Sequence, residues 1–311
     1  PAGWERGFDQ LTVREEDWKL PALLCGHTEM EESARDIRLT GEGFSYVFSK
    51  RNGLPLSMEK NGLVLLTRPV EWNLWRAPLD NDRHIRASWE TAGFSRPVLR
   101  VSDYETGMEN GCAVLRFRVS LGAVSTRNML EAALCWRVGG DGALRLEARC
   151  LLSPGLPPMP RLGLRLFLPD SFDRVAYNGF GPTESYIDKH HACWWQRFAA
   201  GVEEMHTDYI RPQENGSRFG CTETVLTNQK GEGLRVRGES AFSFSASPYT
   251  QEELAARGHN TELVKSGFTV LCLDAFHCGV GSASCGPALL PVYTLRDGEI
   301  RFSWLLDYLP D

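Results

Sequence analysis

Phe44-Ser45-Tyr46-Val47-Phe48-Ser49 places an aromatic ring at every second position, and the run ends on the turn signal Arg51-Asn52-Gly53. Leu54, Leu56 and Met58 then resume the alternation, and Lys60-Asn61-Gly62 turns the chain again into Leu63 to Leu66. A period of two puts successive side chains on opposite faces, which is the signature of a half-buried strand. Asn-Gly between two such runs is the strongest short-range hairpin signal. Residues 44–66 therefore predict an antiparallel meander.

Outward from this meander the idiom repeats. Leu115, Phe117 and Val119 alternate with Arg116 and Arg118. Met129 to Val138, the turn Gly139-Gly140-Asp141-Gly142, and Ala143 to Leu152 predict a long hairpin, with Leu144, Leu146, Ala148 and Cys150 on its buried face. Residues 151–160 hold four prolines and read as a loop, since proline cannot donate to a sheet. Leu162, Leu164, Leu166 and Leu168 form another alternating strand. Strands are also expected at Leu234 and Val236, at Phe242 to Ala246, Phe268 to Asp274 and Leu289 to Leu295, and along Ile300, Phe302, Trp304 and Leu306. Residues 87–94 read as a short helix or wide loop. Thr250 to Arg257 reads as a helix, with Thr250 as cap and Glu253 three residues on. So few helical segments among so many strands exclude a doubly wound or barrel α/β fold. The expected class is all-β, two packed antiparallel sheets.

The bulk numbers narrow the function. A chain of 311 residues, 42% hydrophobic and 24% charged, has the composition of a globular protein with a real core. A formal charge of −6 argues against nucleic-acid or anionic-membrane partners. No apolar run approaches the roughly 20 residues that would span a bilayer. The nine cysteines are odd in number and sit mostly in apolar runs, which reads as reduced core cysteine in a cytoplasmic protein. His190, His191 and Cys193, and Cys272, His277 and Cys278, lack the spacing of a zinc site, so no metal is expected. The chain opens Pro-Ala-Gly-Trp without Met or a signal peptide, which predicts a piece of a longer protein.

Glu71-Trp72-Asn73-Leu74-Trp75-Arg76-Ala77-Pro78-Leu79-Asp80-Asn81-Asp82-Arg83 stands apart. Pro78 fixes its own φ and pushes Ala77 toward extended backbone. Asp-Asn-Asp after it is the chemistry of a tight loop bonded to its own backbone. A rigid corner with two core tryptophans satisfies these residues by itself.

Trp-Arg-Ala-Pro-Leu-Asp-Asn-Asp also closely resembles a signature of the C-terminal β-sandwich domain of the large bacterial β-galactosidases of glycoside hydrolase family two. Three further segments resemble that family. They are Tyr177 to Tyr186, similar to a Gly-x-Gly-Pro-x-Glu-x-Tyr motif, Arg211 to Arg218, similar to Pro-x-Glu-Asn-Gly, and Ala275 to Pro287. The resemblance implies a large two-sheet super-sandwich of the galactose-mutarotase type over residues 35–311. Residues 1–34, with Trp4, Phe8, Leu11 and Val13, would be the end of a preceding immunoglobulin-like domain and a linker.

It further implies that Asp80, Asn81, Asp82, Glu184, Glu214, Asn215, Arg218, His277, Ser284 and Cys285 approach a β-galactoside. The remainder of the site would lie on a separate catalytic barrel or large subunit. Glu184 either faces sugar or ties down a glycine-rich loop. Glu214 and Asn215 beside Arg218 suit hydroxyls, or form a buried ion pair that holds a turn. Some relatives carry tryptophan where Cys285 stands, stacking on the leaving-group sugar, and cysteine offers no such platform. Arg83 and His84 stand where some relatives have glycine, and are expected at the mouth of the site.

The retaining mechanism of that family needs two carboxylates about 5 Å apart. The adjacent pairs Glu15-Glu16, Glu31-Glu32, Glu203-Glu204 and Glu252-Glu253 read as solvated, so no catalytic residue is expected in this chain. Cofactors are likewise not expected here, and any divalent or monovalent cation would belong to the barrel. Gly179-Phe180-Gly181 and Gly279-Val280-Gly281 lack the third glycine of a dinucleotide fingerprint. Two other readings stay open. One is a mutarotase-like sugar epimerase, with His277 and either Glu184 or Glu214 as acid and base. The other is a structural or sugar-binding module.

Overall fold

In the computed structural model, residues 7–14, 18–281 and 283–310 are described. The chain forms β1 (Thr28–Glu32), β2 (Asp36–Gly41), β3 (Phe44–Ser49), β4 (Pro55–Lys60), β5 (Leu63–Val64) and β6 (Arg68–Asn73). Helix α1 (Arg86–Ala92) leads to β7 (Val98–Glu109), β8 (Cys112–Gly122), β9 (Leu130–Val138), β10 (Leu144–Leu152), β11 (Arg161–Pro169) and β12 (Arg174–Gly181). Then come β13 (Trp194–Gly201), β14 (Arg218–Thr227), β15 (Gly233–Ser247), helix α2 (Gln251–Ala256), β16 (Phe268–His277) and β17 (Gly298–Leu309).

Strands β1 to β5 make one antiparallel meander in chain order. Its last turn is the expected one: Asn61 and Gly62 have φ of 51° and 79°, the two positive values that a two-residue hairpin loop demands. The other twelve strands form one large antiparallel sheet, ordered β13-β12-β14-β15-β17-β10-β9-β8-β7. β15 is long enough to serve twice. Its first half pairs with β17, and its second half pairs with β16, which carries β11 and β6 beside it. The sheet thereby branches into two leaves that close around one apolar core.

Ile37 and Phe48 from the small sheet share that core with Trp136, Leu146, Leu162, Phe244 and Trp304 from the large one. Each such side chain contributes roughly 1.5–3 kcal/mol by leaving water. Trp136 also satisfies its indole N–H on Gly53 O at 2.8 Å, which ties the β3–β4 turn to β9. The all-β reading of two packed antiparallel sheets holds.

Two expectations change. Leu289 to Leu295 is a 3-10 turn at Pro291–Tyr293 rather than a strand, since Pro291 fixes φ and lacks the N–H a ladder needs. β1 pairs with β2 along its whole length. Residues 7–14 form no strand, and Phe8, Leu11 and Val13 are exposed; Trp4 and Glu15-Glu16 lie outside the described residues.

The leader runs as a strap across the large sheet. Gln10 bonds the backbone N and O of Trp195 at 2.7 and 2.8 Å, and Trp18 Nε1 donates to Gly238 O at 2.9 Å. Arg145 donates to Pro21 O, Gly140 N to Leu24 O, and Gly26 N to Gly111 O. Val114 and Leu305 point to this outward face, are buried, and lie in one cross-strand row with Arg137 and Arg145, the last of which bonds the strap at Pro21.

Candidate functional site

The Trp72–Arg83 stretch leaves the end of β6 and turns at a single 3-10 turn, Asp80–Asp82. Asp82 folds back to accept Leu79 N at 3.0 Å, the local bond expected of this triplet. Its second task is larger. Arg76 Nε and one terminal nitrogen donate to the two Asp82 oxygens at 3.1 and 2.8 Å. The same guanidinium donates to Cys278 O at 2.9 Å and Gly279 O at 3.1 Å. A buried Arg presents a rigid fork, so one side chain fixes two loops that are distant in sequence.

Asn81 adds bonds to Val280 O and Gly281 O, and Asp188 accepts Val280 N and Gly281 N at 2.9 and 2.7 Å. The result is an exposed rim over a locked base. Asp80, Arg83, His84 and Cys285 are exposed, Ser284 half-buried. Arg83 donates to Ser284 O at 2.6 Å and to His84 Nε2 at 3.1 Å, so the two loops meet at the surface. Arg211 stands 3.7 Å from Asp80 on the same side.

Behind the rim lies a buried polar cluster. Glu214 is 3% exposed and accepts from Arg161, wholly buried, at 3.2 Å. Arg161 also donates to both oxygens of Asp274. His277, 4% exposed, sits with Nε2 3.5 Å from Glu214 Oε1 and Nδ1 2.9 Å from Cys278 O. Burial pushes the Glu214 carboxyl up, but Arg161 and His277 outweigh it and hold it below the usual carboxylate range.

The expected pairing of Glu214 with Arg218 is therefore replaced. Arg218 instead donates to Tyr177 OH and to Gly216 O, both at 3.0 Å, and is itself buried. Glu214 forms a buried ion pair with a partner 53 residues away.

Glu184 ties down its loop. It accepts from Lys189 at 2.6 Å, Tyr209 OH at 2.5 Å, Gly216 N at 3.0 Å and Thr207 Oγ1 at 3.3 Å. Burial raises its pKa, and these donors more than reverse that and lower it. Asn215 likewise serves the backbone, accepting Thr207 N at 3.0 Å and donating to Gln213 O at 2.9 Å.

Sequence reasoning thus named the rim but missed its supports, Arg76, Arg161, Asp188 and Asp274. Arg76 lies inside the quoted signature, and Asp188 falls two residues after Tyr186. Arg161 and Asp274 left no signal beyond a charged residue at the end of an apolar strand. Among the described residues, no group of three or more His, Cys, Asp or Glu side chains is placed to hold a metal ion. Within them no helix is long and apolar enough to cross a membrane. Glu32, Glu203, Glu252 and Glu253 each pair with a lysine or arginine rather than with a second carboxylate.

Residues 40–306 match the family described as the β-galactosidase small chain. Over 306 residues the chain is 36% identical to a β-galactosidase of Actinobacillus pleuropneumoniae, covering 97% of this chain and 30% of that protein. Against a β-galactosidase of Staphylococcus xylosus it is 31% identical over 310 residues, covering 98% of this chain and 31% of that protein. The chain therefore spans less than a third of these relatives. A galactose 1-epimerase from Lactobacillus acidophilus NCFM aligns with a TM-score of 0.49 at 7% identity, over 93% of this chain and 99% of that one. The chain belongs to the β-galactosidase small-chain family.

Proposed function

We propose that this chain walls the sugar site of a β-galactosidase whose two catalytic carboxylates lie on a separate barrel, either elsewhere in the same polypeptide or on a large subunit. Asp80, Arg83, His84, Ser284 and Cys285 meet the β-galactoside or its leaving group. Asn81, Asp82, Glu184, Glu214, Asn215, Arg218 and His277 hold that rim in place. The hydrolysis is of the retaining type and is performed by the barrel, which also holds any cation the reaction uses. The setting is cytoplasmic, a reading supported by nine unpaired cysteines.

One observation carries the reading: two exposed polar loops, joined at Arg83 and Ser284, stand on a base that holds two buried charge groups, Arg76 with Asp82 and Arg161 with Glu214 and Asp274. A surface corner needs no such foundation. A wall that must face another domain's reacting sugar does, because small misplacements cost rate. The epimerase reading loses support, since His277 and Glu214 are sealed from solvent and Glu184 has four donors on its carboxylate.

The test is complementation. The purified chain should leave nitrophenyl β-galactoside intact, and adding the companion barrel should restore hydrolysis. Robust cleavage by the chain alone overturns the proposal.

A further inference from the structure

The outward face of the large sheet carries a recess of about 550 Å³ that shares no residue with the rim. Its residues stand side by side across the strands in two rows. In the first, Glu105 lies opposite Arg116, Arg116 opposite Cys135, Cys135 opposite Glu147, and Glu147 opposite Ser303. In the second, Asp103 lies opposite Arg118, Arg118 opposite Ala133, Ala133 opposite Arg149, and Arg149 opposite Arg301. Short side chains at Ala133, Cys135 and Ser303 thus sit among long charged ones, and they make the floor of a trough. Glu239 closes one end.

The chemistry of this trough is selective by elimination. Four arginines and four carboxylates line it, so their charges cancel and neither a polyphosphate nor a polyamine is favoured. No aromatic side chain stands in either row: of the three aromatics that also border the recess, Phe117 and Phe302 are buried and Tyr104 is stacked on Phe117. Charged walls exclude a lipid tail. What remains is a neutral, polyhydroxylated ligand, for which guanidinium donors and carboxylate acceptors are matched partners.

Some of these groups are uncommitted. Arg116, Glu147 and Arg149 are held in place by ion pairs to Glu109, Arg137 and Glu299. Arg118, Asp103, Glu105 and Glu239 make no ion pair among the described residues, although each lines the recess. The platform is strand backbone rather than loop, and its volume falls in the range of small-molecule sites. We propose that the trough is a saccharide-binding site in its own right, taking a neutral oligosaccharide across β8, β9, β10 and β17. It stands independently of what the rim does.

The test uses the 311-residue chain with galactose, lactose and a β-linked galactotetraose, followed by calorimetry and ligand-observed NMR. Saturable binding is expected, tightest for the tetraose. Ala133→Trp fills the floor on a solvent-facing position and should weaken binding about tenfold or more. Should that variant lose its fold by circular dichroism, Glu105→Gln replaces it and should weaken binding in the same direction. Alkylation read by mass spectrometry locates the sugar: it should slow modification of Cys135 and leave the exposed Cys25 and Cys285 unaffected. The absence of saturable binding, binding that neither variant weakens, or protection at Cys285 in place of Cys135 overturns the proposal. Protection at Cys285 would report the rim instead.

Discussion

Arg161 and Asp274, 113 residues apart in the chain and both wholly buried, join β11 to β16 through two hydrogen bonds. A third nitrogen of the same guanidinium reaches Glu214 on the loop that borders the rim. Two carboxylates thus share one cation, and each is hydrogen-bonded as well as paired. Removing one member leaves the others as uncompensated buried charge, which costs about 3–5 kcal/mol. Arg161→Met should be the worst, since it strands two carboxylates at once. Asp274→Asn keeps a hydrogen-bond acceptor and should cost less. Urea unfolding of both variants checks the order, and equal midpoints for Arg161→Met and the parent chain would sink it.

Glu184 makes stability depend on acid. Its folded pKa lies below the usual 4.5 because donors from Lys189, Tyr209 and Gly216 overcome the effect of burial. Folding therefore favours the ionised form. The contribution is complete above the unfolded value and disappears as pH falls through the lowered folded value. Thermal melts of the parent chain and of Glu184→Gln should differ most near neutral pH and converge below that range. A gap that widens on acidification contradicts this assignment.

Cys285 tests the role of the rim. It is exposed, so Cys285→Trp should leave the fold intact. A ring at this place offers an aryl or sugar leaving group a stacking surface worth about 0.5–1.5 kcal/mol. With the barrel supplied, the KM for aryl β-galactosides should fall by a few-fold up to about tenfold. An unchanged KM would remove residue 285 from the leaving-group side of the site.

Much of the fold was legible because burial on one sheet face imprints a period of two. Leu162 to Leu168 reads directly as β11, and Thr250 caps α2 by accepting Glu253 N at 3.1 Å. β1 and β7 escaped because they lack that imprint, whereas β12, whose buried positions do alternate, was read only as a glycine-rich motif. β1 is Thr-Glu-Met-Glu-Glu, an edge strand held by its ladder more than by apolar burial. β7 is mostly exposed, but its turn was readable: Asn110 and Gly111 have φ of 49° and 74°, the same signal as Asn61-Gly62. The site divides along the same line. Local motifs marked Asp80 to His84, whereas the link from Glu214 to Arg161 is a contact of tertiary origin with no trace in spacing.

Gly26 and Gly140 cross so closely that a Cβ on Gly140 would lie 2.3 Å from Gly26 Cα, and one on Gly26 would lie 2.6 Å from Gly140 Cα. Both obstacles are backbone, which cannot swing aside as a side chain would. Gly140→Ala should therefore push the strap off the sheet while β9 and β10 stay paired. Overpacking of this kind costs about 1–3 kcal/mol. Amide exchange should quicken at Val114 and Leu305, and protease should cut between Trp18 and Gly26. Gly62→Ala is the control: φ is 79° there and nothing stands within 4 Å, so it strains a turn without touching the leader. If both variants lose stability alike and neither exposes Leu305, the strap is not what covers that face.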